Sequence, residues 1–116
     1  MKFFIVGDNN KAIEKLSMEL SNYYKIDCFN VVDNNIDGIN KIVRENKEWI
    51  IWSLSISNID IICNLAETIV FLNFSKESIF KNDFLQKHIR KGIIIKNKRQ
   101  LKKYLKSVYE SDRYNF

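Results

Sequence analysis

The opening twenty residues, MKFFIVGDNNKAIEKLSMEL, constrain the fold more than any other stretch, because they join two different periodicities through a single glycine. Phe3 to Val6 is a short apolar run of aromatic and β-branched residues, stopped by Gly7 and the loop formers Asp8, Asn9 and Asn10, and it reads as a buried strand. Beyond the loop, Ile13, Leu16, Leu20 and Tyr23 recur at helical spacing and define one apolar face. A strand running through glycine into a helix is the geometry in which free backbone N–H groups and the helix dipole hold phosphate.

The same alternation continues. Residues 25–32 read as a second strand, and residues 36–46 as a helix with Ile36, Ile39 and Val43 on one side. Residues 49–54 (WIIWSL) form a continuous apolar run, the pattern of a strand covered on both faces in a parallel sheet. A short helix over 58–65, a buried strand over 67–74 and a helix over 75–91 capped by Ser75 follow. Gly92 ends that helix, residues 93–95 make the last strand, and Asn97 can cap a final helix that docks Leu101, Tyr104, Leu105 and Val108. Alternating strands and helices imply right-handed βαβ units. The expected architecture is α/β, a three-layer αβα sandwich around a mostly parallel five-stranded sheet, in one domain spanning residues 1–116. Trp49, Trp52, Phe71 and Phe74 are expected to pack on the sheet, with base stacking as the alternative for a tryptophan.

With 46% hydrophobic and 28% charged residues the chain should be globular. No apolar run approaches bilayer length, and the N-terminus enters a strand directly, so a cytoplasmic location without membrane contact is expected. Cys28 and Cys63 lack a CxxC partner and read as free thiols, while His88 alone supports neither a His-rich metal site nor a Ser-His-Asp triad. No metal, cofactor or catalytic residue is expected.

GDNNKAIEKLSMEL resembles the GxxxxGK[ST]xLxxxL opening of small P-loop kinases, in particular the adenylate-kinase-like topology modulation group. Gly7 falls on the first glycine, and Leu16 and Leu20 on the apolar helix positions. EWIIWSLS is similar to that family's WIIDGNY segment, ETIVFLNF to its DTIIFLD strand, and IIIKNKRQLKKYL to its closing strand and helix. The resemblance implies a P-loop-kinase-like fold with strand order 2-3-1-4-5. It also shows where the chemistry departs. Ala12 replaces the second glycine, Ile13 the phosphate-binding lysine, Glu14 the magnesium-ligating hydroxyl, Trp52 an acidic residue and Asn73 an aspartate. Lys11, read as a loop residue, and Lys15 are poorly placed to substitute. A framework kept without its chemistry implies a fold reused for binding, with no enzyme activity.

Charge is unevenly distributed. Residues 1–74 carry 7 Lys/Arg against 10 Asp/Glu, whereas residues 75–116 carry 12 against 4. Lys87, Arg90, Lys91, Lys96, Lys98, Arg99, Lys102, Lys103 and Lys106 therefore form the candidate nucleic-acid-binding set, an unbalanced basic cluster suited to RNA or another polyanion. Lys11, Lys15, Lys25 and Lys41 are expected to lie outside it. The expected function is a small non-catalytic regulator or inhibitor that binds RNA through this face. Size and basicity equally admit a protein-binding inhibitor of a host defence system, anti-CRISPR-like and directed at a host protein, and the family resemblance leaves a small nucleotide kinase as a third reading.

Overall fold

Side chains along a strand alternate between its two faces, and in β1 (Lys2–Gly7) both sets are buried. Phe3 and Ile5 join one apolar cluster, Phe4 and Val6 another, so the strand must lie inside a sheet covered on both sides. The computed structural model describes residues 1–7, 9–31, 36–53, 59–72, 74 and 89–111. After β1 come α1 (Asn10–Tyr24), β2 (Cys28–Asn30), α2 (Ile36–Glu45), β3 (Trp49–Ser53), α3 (Ile59–Leu65), β4 (Thr68–Leu72), a 3₁₀ turn (Ile89–Lys91), β5 (Gly92–Ile95) and α4 (Lys98–Ser111).

The five strands form one sheet in the order β2-β3-β1-β4-β5, and every pairing is parallel. This is the expected α/β architecture, with the first strand at the centre. One face carries α1 and α4, whose Ile13, Leu16, Leu20, Leu101, Leu105 and Val108 pack on Ile5, Ile50 and Val70. The other carries α2 and α3, whose Ile39, Ile62 and Cys63 pack on Phe4, Trp49, Ile51 and Phe71. Because all strands run the same way, the helices that follow β1 and β5 both begin at the C-terminal edge of the sheet and run side by side. Topology thus places residues near position 10 beside residues near position 100.

Gly7 has a packing reason for being glycine. It pairs with Leu72 of β4, and a Cβ at this position would overlap the Leu72 carbonyl oxygen. The strand–helix junction therefore needs this glycine whether or not it holds phosphate.

Several expected boundaries move. The second strand is shorter than 25–32, because Lys25 closes α1 in the left-handed conformation (φ 58°) with its N–H donating to the Ser21 carbonyl. Ile36 opens α2 but is 41% exposed, and half-buried Ile42 and Val43 complete the inner side with Ile39. Of the helix expected over 75–91, residues 75–88 lie outside the described residues, and Ile89–Lys91 is a 3₁₀ turn leading straight into β5. Among the described residues no helix is long and apolar enough to cross a membrane.

Candidate anion-binding groove

The β1–α1 junction is the place a nucleotide would be sought first, and its local chemistry is self-contained. Asn9 is the N-cap of α1, and its Oδ1 accepts the Ala12 N–H at 3.1 Å. The Ile13 N–H is already within the helix, donating to the Asn9 carbonyl at 3.0 Å. A phosphate at this end would compete with the asparagine for the Ala12 donor. Ile13, at the lysine position of the P-loop pattern, is wholly buried between α1 and the sheet, while Glu14 is exposed. Lys11 is not a loop residue, because α1 starts one residue before it.

The final helix begins in the same way. Asn97 Oδ1 accepts the Gln100 N–H at 2.9 Å, and Gln100 Oε1 reaches back to the Lys96 N–H at 2.7 Å, a reciprocal arrangement related to a capping box. Asparagine thus caps both neighbouring helices, as the sequence suggests for Asn97. Neither helix has an acidic residue in its first turn. Lys11 occupies that turn in α1, and Lys98 and Arg99 occupy it in α4.

Between the two helix starts lies a cavity of about 300 Å³. Lys11 and Lys15 line it from α1, Lys98 and Lys102 from α4; all four are exposed, and no ion pair among the described residues engages them. Its remaining wall is formed by Asn9, Ala12, Leu101, Leu105 and the half-buried ring of Phe74. A more open depression of about 530 Å³ continues the groove down the helices, sharing Lys15, Lys102 and Leu105 with the first. There the lining becomes mixed in charge, three lysines with two glutamates. Glu19 and Glu110 join the lining, Lys106 pairs with Glu110 at 3.8 Å, and Tyr109 Oη donates to Glu19 at 3.2 Å. Partial burial, the Glu19 charge and that hydrogen bond all raise the Tyr109 pKa and keep the phenol neutral. Tyr104, on the docking side of α4, is pushed up to about 12 by burial and secondarily by Tyr24.

The candidate basic residues are divided by the fold. Lys98 and Lys102 line the cationic cavity, and Lys106 lines the mixed-charge end. Lys96, Arg99 and Lys103 are exposed beside the groove without lining it. Arg90 and Lys91 precede β5, so the length of that strand separates them from Lys96. Lys91 is half-buried, its Nζ donating to the Cys63 and Asn64 carbonyls at 2.8 and 3.2 Å, where it caps the end of α3. Lys87 lies outside the described residues. Lys11, Lys15 and Phe74, which also line the cavity, fall outside the basic C-terminal third that the sequence points to. A lysine pair spaced four apart directly after an asparagine cap was the available signal for the first two. Among the described residues no group of three or more His, Cys, Asp or Glu side chains is placed to hold a metal ion. Compared with family models, curated proteins and solved structures, the chain matches none, so the functional reading rests on its own geometry.

Proposed function

We propose that the chain is a non-catalytic binding module on a P-loop-kinase-like scaffold, and that it binds RNA through the α1–α4 groove and the adjoining outer row of α4. One observation carries this reading. Lys11, Lys98 and Arg99 stand in the first turns of two neighbouring helices, where the macrodipoles disfavour cations by about 0.3–1 kcal/mol each. Acids there would complement the dipoles instead, as Glu14 does just beyond the first turn of α1. Cations held against the helix dipoles are an arrangement that an incoming polyanion relieves. The capped Ala12 N–H and the buried Ile13 support a scaffold that has lost nucleotide chemistry, so ATP or GTP with magnesium is expected to leave the melting temperature unchanged.

Salt-titrated binding of a single-stranded RNA, read by fluorescence anisotropy, tests the reading. Four or five phosphate contacts would give a slope of log affinity against log salt of about −3. The double reversal Lys15→Glu with Lys102→Glu is expected to lower affinity at least about a hundredfold. Lys41→Glu with Arg44→Glu on α2, an identical change in net charge, should alter it less than about threefold. Equal losses would mean that binding follows overall basicity. Affinity no better than millimolar at low salt would remove the RNA reading in favour of a protein partner.

A further inference from the structure

Resting on that RNA-binding reading, we propose that the cavity between Lys11, Lys15, Lys98 and Lys102 receives the terminal phosphate of a single strand, not a passing stretch of its backbone.

Along the groove the lining passes from purely cationic to mixed. Four lysines surround the upper cavity with no acidic residue in its lining, whereas Glu19 enters about one helical turn beyond Lys15 and Glu110 about two turns beyond Lys102. A strand threading the whole groove would carry its phosphates past both carboxylates, at a repulsive cost that rises as water is excluded. A strand that stops in the upper cavity avoids them. The rest of the chain then leaves over exposed Arg99 and Lys103 on the outer side of α4, with exposed Lys96 just before the start of that helix.

Charge count agrees with this. An internal phosphodiester carries one negative charge, whereas a terminal phosphomonoester near neutral pH carries about −1.5 to −2 and offers three acceptor oxygens. Lysines arriving as two pairs from two helices, at positions 11 and 15 and at 98 and 102, can surround such a group from both sides. The cavity, about 300 Å³, lies at the small end of ligand-site sizes and suits one terminal unit. Phe74 supplies an apolar wall beside the lysines, fitting a terminal base next to its phosphate, a contact for which the sequence offered a tryptophan.

The test uses one short single-stranded RNA prepared in three forms: 5′-phosphorylated, 3′-phosphorylated, and with hydroxyls at both ends. Binding is measured by anisotropy at fixed low salt. One phosphorylated form is expected to bind at least about tenfold tighter than the hydroxyl form, and which one it is assigns the polarity of the bound strand. In Lys15→Ala with Lys102→Ala the ratio of phosphorylated to hydroxyl-ended affinity should fall to about one, whatever the absolute affinities become. Lys11→Gln with Lys98→Gln provides the same ratio should the first variant fail to fold. Adenosine monophosphate serves as competitor: displacement only at concentrations far above those of the phosphorylated strand supports a strand end. Competition as effective as the oligonucleotide's would assign the cavity to free mononucleotides and overturn the inference. Equal affinity for all three RNA forms overturns it while leaving the RNA-binding face intact. No binding of any form overturns that face as well. A preference that survives both double variants places the terminal phosphate elsewhere.

Discussion

The two faces of the sheet are built alike on the inside and differently on the outside. Beneath α2 and α3, Phe4, Trp49, Ile51, Ile69 and Phe71 are essentially inaccessible; beneath α1 and α4, so are Ile5, Ile13, Leu16, Ile50 and Leu72. Either core makes a stable layer of an α/β sandwich. The outer charges diverge. On α2, Asp37 stands in the first turn and Arg44 in the last, the order that complements a helix dipole. On α1 and α4, cations stand in the first turns and no base stands in either last turn. The contrast teaches that the inner residues specify the sandwich, whereas the outer charges of one face oppose the helix dipoles, the pattern on which the proposed polyanion binding rests.

The largest expected effect tests whether the two cores are equivalent. Ile13→Lys and Ile39→Lys each bury an uncompensated charge and should cost more than about 4 kcal/mol, leaving no cooperative transition in urea unfolding. For Ile13 this also decides the fate of the P-loop position. A folded Ile13→Lys protein that gains affinity for ATP would show that position 13 faces the loop, contrary to its burial against the sheet.

Alkaline pH should separate the faces next. Burial keeps Tyr104 neutral in the folded protein until about pH 12, while an unfolded tyrosine ionises near pH 10.0. The folded state therefore holds more protons between these values. Its stabilisation is fully present below pH 10 and declines as pH rises towards 12, by about 2 kcal/mol. Urea midpoints compared between wild type and Tyr104→Phe across that window read the difference. A parallel decline in both proteins would assign the pH dependence to other groups.

Smaller again is the effect of Lys91→Met. Losing the bonds to the Cys63 and Asn64 carbonyls should lower stability by about 1 kcal/mol, with RNA affinity nearly unchanged. If affinity falls as it does for the groove lysines while stability holds, Lys91 belongs to the binding face and the carbonyl contacts are incidental.

Much of the sandwich was legible because strands buried on both faces leave uninterrupted apolar runs. FFIV, WIIWS and TIVFL all became strands, and the 101-104-105-108 spacing identified the docking side of α4 together with its Asn97 cap. Short, weakly patterned elements were harder to bound. Among the described residues of 25–32 three are in a strand, since Lys25 is consumed in closing α1. The groove was half legible. Charge counted along the chain placed Arg90 and Lys91 with Lys98, although β5 runs between them. The same count excluded Lys11 and Lys15, which the parallel topology brings alongside α4. No linear window contains a site assembled from the starts of the first and last helices.

The most direct measurement is the double substitution Lys11→Glu with Lys98→Glu, read both by thermal unfolding and by RNA affinity. Acids in the first turns of α1 and α4 complement the dipoles that the lysines oppose, so stability is expected to rise by about 1–2 kcal/mol. RNA binding should be lost in the same protein. Higher stability together with lost binding is the signature of cations retained for function at the expense of the fold. Unchanged or lower stability with binding intact would contradict the account, showing those lysines to be part of an ordinary solvated surface.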